Sequence, residues 1–96
     1  MGEAIIKYRI IPEGEYLEKI DEILEKIKQI KGFKDAKIED IGFGIKAILA
    51  VFLVKDEEGN LVDKELEKIE GIQFETIEVS LIWNINTLFF FLFLPL

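Results

Sequence analysis

The sequence predicts a single α+β domain in which two helices cover one face of a four-stranded antiparallel sheet. Three observations lead to this reading. The chain has 96 residues, which suffices for one compact core. Half of its residues are hydrophobic and 32% are charged, a mixture that can bury a core and still carry a solvated surface. Its hydrophobic periods run strand, helix, strand, strand, helix, strand.

The stretch from Glu3 to Ile11 alternates, with Ala4, Ile6, Tyr8 and Ile10 on one side and Ile5, Lys7, Arg9 and Ile11 on the other. That period of two is a strand with one buried face. Pro12 ends it by removing a ladder donor, and Gly14 opens a loop. From about Glu15 to Lys31, the apolar residues Leu17, Ile20, Ile23, Leu24, Ile27 and Ile30 follow the three-four spacing of an amphipathic helix, which Gly32 is placed to stop.

Lys34 to Asp40 reads as a second strand with Ala36 and Ile38 on one face. The nearly continuous apolar run from Ile45 to Val54 suits a central strand. Asp56 to Asn60 reads as a turn, with Asn60 and Asp63 placed to cap a second helix that carries Val62, Leu66 and Ile69 inward and stops at Gly71. The last strand spans Ile72 to Ile82, where Ile77, Val79 and Leu81 alternate with Glu78, Ser80 and Ile82. The β-α-β-β-α-β order buries all these stripes as a ferredoxin-like sandwich.

Composition closes several function classes. With no Cys and no His, disulfides, thiolate metal sites and the usual proton shuttle are excluded, and no cofactor or metal is expected. The acidic residues stand beside Lys on the helical stretches, where solvated pairing accounts for them, so the chain reads as a non-enzyme. The net charge of -7, with no offsetting basic run, opposes direct binding to nucleic acid and favours a basic protein partner. The first residues lack a basic and apolar leader, which points to the cytoplasm.

Gly42-Phe43-Gly44 lies between the second and third strands. The residues alone leave two readings open: an ordinary hairpin whose ring folds back into the core, or a tight turn that holds the ring out at its tip.

The wider string Ile41-Gly42-Phe43-Gly44-Ile45-Lys46, followed by a hydrophobic strand and Asp56-Glu57-Glu58-Gly59, resembles the elongation factor 1-beta family of archaeal type. Ile10-Ile11-Pro12, Ile69-Glu70-Gly71-Ile72 and Ile77-Glu78-Val79 extend the similarity over about residues 3 to 82. The resemblance implies guanine-nucleotide exchange on the GTPase elongation factor 1-alpha during protein synthesis, without covalent chemistry. By position it implies Gly42, Phe43 and Gly44 as partner-binding residues, with Lys46 as a neighbour. Eukaryotic members of the family end in a Lys before a final aliphatic residue; Ser80-Leu81-Ile82 offers no base here, and no residue is assigned that role.

The exchange domain is thus expected over residues 1–82, with an atypical apolar tail over 83–96. The tail is uncharged and its apolar run is too short to span a bilayer. Packing on the open sheet face, an interfacial anchor and read-through past a natural end near Ile82 are the three readings of it. Lys7 and Arg9 are expected on the sheet face that the helices leave open, solvated, with Lys46 joining them and Ile48 and Phe52 exposed beside them. A competing reading makes that face the interface of an interaction or regulatory module, or of a homo-oligomer. An acylphosphatase-like enzyme would need an Arg and Asn constellation that the first loop does not show.

Overall fold

The computed structural model describes residues 2–82, so the tail and the three readings of it lie outside the described residues. Four strands, β1 (Glu3–Pro12), β2 (Phe33–Gly42), β3 (Ile45–Lys55) and β4 (Ile72–Ile82), alternate with two helices, α1 (Ile20–Lys28) and α2 (Gly59–Glu67). The sheet order is β2-β3-β1-β4 with every neighbouring pair antiparallel, the expected ferredoxin-like arrangement.

Register explains the core. Ala4, Ile6, Tyr8 and Ile10 of β1 stand opposite Val54, Phe52, Ala50 and Ile48 of β3, and all eight belong to one buried cluster. Ile23, Ile27 and Ile30 from the α1 segment and Val62 and Leu66 from α2 close over them. Each large apolar side chain so buried contributes about 1.5–3 kcal/mol. Tyr8 meets Phe52 and Phe74 edge to face at 5.7 and 6.0 Å, and Phe33 meets Phe52 at 5.8 Å, so aromatic contacts tie three strands and the start of β2 together.

The first helix is shorter than its apolar period implies. Gly14–Lys19 is a 3₁₀ segment, and α-helix begins at Ile20. No side chain caps the start; the Glu13 N–H is instead held by the Gly71 carbonyl at 2.8 Å, and the Tyr16 N–H bonds the Glu13 carbonyl. Leu17 and Ile20 are three residues apart, a spacing that a 3₁₀ turn serves as well as an α-helix. At the other end Gly32, at φ 92°, accepts a hydrogen bond at its carbonyl from the Leu53 N–H at 2.8 Å. A Cβ there would lie 2.7 Å from the Leu53 carbonyl oxygen, so the chain passes β3 at a distance that only glycine permits.

The second helix departs from its expected start. Asp56–Glu58 forms a 3₁₀ turn, α2 begins at Gly59, and neither Asn60 nor Asp63 caps it. Asp63 faces the sheet, where its Oδ1 accepts a hydrogen bond from the Tyr8 hydroxyl. The tertiary partner outcompetes the local cap because Tyr8 is buried and its hydroxyl must be satisfied.

Burial, the Asp63 acceptor and its negative charge push the Tyr8 phenol above its ordinary range. A raised native pKa favours the protonated form in the fold. That contribution is complete below the unfolded phenol's pKa of about 10 and is lost as pH rises above it. Tyr8→Phe should cost about 1.5–3 kcal/mol at neutral pH, the scale of a hydrogen bond to a charged group. It should also weaken the alkaline loss, leaving the slope due to Tyr16, which its hydrogen bond to Glu70 also pushes up. Urea denaturation at neutral and strongly alkaline pH measures both effects; equal alkaline losses in the two proteins would remove the Tyr8 linkage.

The two faces of β3 are assigned oppositely to the expectation. Ile48 and Phe52 pair with Ile10 and Ile6 and are fully buried under the helices, whereas Leu49 and Val51 share the open face with Arg9 and Lys7. Lys46, an even-numbered neighbour of Ile48, lies on the helix side of the sheet and is exposed, so it does not join Lys7 and Arg9. Lys7 is not solvated either: it is buried, with its Nζ 3.7 Å from Glu78 Oε1. Arg9 is partly exposed and its Nη1 donates to Glu75 Oε1 at 3.0 Å. In β4 the alternation breaks at Ile77, which the register skips between Glu78, opposite Lys7, and Thr76, opposite Tyr8.

Candidate partner-binding tip

β2 and β3 are joined by the shortest usual hairpin. Gly42 pairs with Ile45, leaving Phe43 and Gly44 as a two-residue connection. Phe43 has φ 56° and Gly44 has φ 76°, the positive values at both central positions that a type I′ turn requires and that match the twist of the strands. Gly44 meets this demand freely. Phe43 does not, and it is the one non-glycine residue at positive φ among the described residues. The left-handed region costs a side-chain-bearing residue about 1–2 kcal/mol.

The strain is not offset by burial. Phe43 is fully exposed, so the ring stands out at the tip and the core reading of this residue is set aside. The approach to the turn is fixed by a bulge at Ile41 and by Asp40, whose Oδ1 accepts the Gly42 N–H at 2.9 Å. Lys46 stands opposite Asp40, the next pair inward from the turn. The structure therefore gathers all four expected residues, Gly42, Phe43, Gly44 and Lys46, into the end of one hairpin.

Three residues outside that set share the location. Ile38, Ile41 and Ile45 are exposed in the same hairpin, so it holds four of the seven large apolar side chains exposed among the described residues. Such a concentration makes the hairpin end a candidate contact surface. Ile41 and Ile45 flank the motif in sequence and could have been included on that ground. Ile38 follows only from register, which seats it opposite Ile48 on the edge strand β2, where the helices do not cover it.

Chemically the tip offers an aromatic ring, aliphatic neighbours, one carboxylate and one ammonium. Among the described residues no group of three or more carboxylates gathers as a metal site, and no helix is long and apolar enough to cross a membrane.

A family model described as the EF-1 guanine nucleotide exchange domain matches residues 5–88. The chain belongs to the EF-1 guanine nucleotide exchange domain family. The match begins in β1 and continues past residue 82. An elongation factor 1-beta of Archaeoglobus fulgidus is 36% identical over 84 residues, covering 81% of this chain and 94% of its own length. One from Methanocorpusculum labreanum is 34% identical over 95 residues, covering 92% of this chain and 99% of its own. A third, from Methanosarcina barkeri, is 31% identical over 93 residues, covering 88% and 100%. Membership of the EF-1 exchange family supports a part in nucleotide exchange during translation elongation.

Proposed function

We propose that this chain speeds GDP release from elongation factor 1-alpha, acting through Phe43 with Gly42, Gly44 and Lys46 as its setting. The observation that carries the reading is the combination at Phe43 of positive φ and full exposure. An aromatic residue there loses on two counts in the free chain. It bears backbone strain of about 1–2 kcal/mol and forgoes burial of about 1.5–3 kcal/mol. Both are explained if the ring is an anchor that a partner pocket covers, the role aromatic residues take at interface centres.

Exchange by this route is a shift of population. A factor that binds the nucleotide-free GTPase more tightly than the GDP-bound form must weaken GDP by the same ratio, so the protein needs to form and break no covalent bond. The net charge of -7 steers the chain toward a basic surface on its partner. On this reading residues 1–82 are the exchange domain, working in the cytoplasm where elongation proceeds. The competing module on the open sheet face loses the exposed Ile48 and Phe52 on which it drew.

Calorimetric titration of the chain into elongation factor 1-alpha tests the proposal. Affinity should be at least about tenfold higher, roughly 1.4 kcal/mol, for the nucleotide-free GTPase than for the GDP complex. Equal affinities for the two forms would rule out exchange by linkage, however tight the binding.

A further inference from the structure

The turn that carries Phe43 is held at very few points. Gly42, Phe43 and Gly44 have φ of 102°, 56° and 76°, three successive residues in the left-handed half of backbone space. A Cβ added at Gly42 or Gly44 would meet nothing within 4 Å among the described residues, so the backbone there rests on no neighbouring element. The ladder gives little support at the base of the turn, because the bulge at Ile41 interrupts it between the Asp40–Lys46 and Gly42–Ile45 pairs. Glycine takes either sign of φ about as readily as the other, which makes Gly42 the point where the tip would swing.

Asp40 closes that freedom. Its Oδ1 accepts the Gly42 N–H at 2.9 Å, across the bulge. Asp40 is exposed and stands opposite Lys46, the kind of cation a carboxylate pairs with across two strands. Among the described residues no ion pair joins the two, and the carboxylate is committed to the backbone instead. An Asp that bonds the backbone two residues on is a common device in turns that are favourable in themselves. Here it braces a turn whose first central residue disfavours the required conformation, so the bond controls where the ring points.

We propose that Asp40 is a positioning residue: by pinning the Gly42 N–H it holds Phe43 at positive φ, with its ring outward, before a partner arrives. Its bearing on exchange rests on Phe43 being the contact with elongation factor 1-alpha. A partner that needs the ring outward binds the fraction of chains that present it, and apparent affinity falls in proportion to that fraction. The role asks for an acceptor oxygen, not for a charge, so the side-chain carbonyl of Asn can fill it.

Asp40→Ala removes the acceptor, and Asp40→Asn keeps it while removing the charge. In the free full-length protein, positive φ at Phe43 gives a strong Overhauser contact between its own amide proton and Hα. Asp40→Ala should weaken that contact and speed solvent exchange of the Gly42 amide, and Asp40→Asn should preserve both. In GDP release from elongation factor 1-alpha, Asp40→Ala should raise the half-maximal chain concentration about fivefold with an unchanged plateau, as for a ring held outward about one-fifth of the time. Asp40→Asn should stay close to the parent protein. An Ala variant with the contact and the amide exchange unchanged would overturn the proposal. So would an Asn variant that behaves like the Ala variant, which would make the charge the working part, or an Ala variant that lowers only the plateau. A parent chain that does not stimulate release would strike the exchange reading instead, and the two measurements on the free protein would still decide whether Asp40 holds Phe43.

Discussion

Phe43→Asn should leave the fold intact, raise its stability by about 1 kcal/mol, and cut the stimulation of GDP release by about 30-fold. The first part follows from backbone conformation. Asn is the side-chain-bearing residue that best tolerates positive φ, and Asn-Gly is the preferred pair for a two-residue hairpin of this twist. Phe43 at φ 56° before Gly44 at φ 76° is the same turn with an unfavourable first residue. The second part follows from the role of the ring. Central aromatic anchors lose about 2 kcal/mol or more of binding when removed, which is roughly a 30-fold effect. Phe43→Gly should behave alike, since it also relieves the strain and removes the ring. Urea midpoints and release of a fluorescent GDP analogue from elongation factor 1-alpha read the two quantities separately. A stability loss of several kcal/mol would return Phe43 to the core, and undiminished release would acquit the tip.

Phe52→Ala should cost about 3–5 kcal/mol of stability, the range for emptying a buried aromatic site. Phe52 is fully buried, stands opposite Ile6 and Phe33 in the sheet, and meets the rings of Tyr8 and Phe33 edge to face. Its removal opens a cavity between sheet and helices that Ile27 or Leu66 cannot fill without leaving their own packing. Val79→Ala, on an exposed stretch of β4, should change stability by no more than about 0.5 kcal/mol. Denaturant unfolding of the pair measures the contrast. Similar small losses in both would put Phe52 on a solvated face and contradict the register.

The elements were legible because their periods were clean. β1 alternates strictly, and the four core pairs between β1 and β3 follow from that alternation once the strands are in register. β3 was harder: Ala47 to Val54 is apolar on both faces, so composition carries no phase, and Lys46 supplied a misleading one. Phase there is set by pairing with β1 and β2, a long-range fact. The caps failed for a similar reason, since Asp63 is drawn from local duty by Tyr8, 55 residues away in sequence. In β4 the bulge at Ile77 shifts the alternation by one residue, which the sequence does not signal.

The tip was legible as a turn, and its resemblance made it the expected contact. The glycines on both sides of Phe43 announced a tight connection, but the direction of the ring was open until the backbone was known. Positive φ at both central residues aims the ring outward and makes its conformation costly. Ile38 joined the surface only through its register with Ile48.

The most direct measurement is the rate at which elongation factor 1-alpha, loaded with fluorescent GDP and chased with excess unlabelled GDP, loses its label as the full-length chain is added. Release should accelerate with chain concentration and reach a plateau. A rate that stays at its unstimulated value when the GTPase is saturated with the chain would contradict the exchange reading.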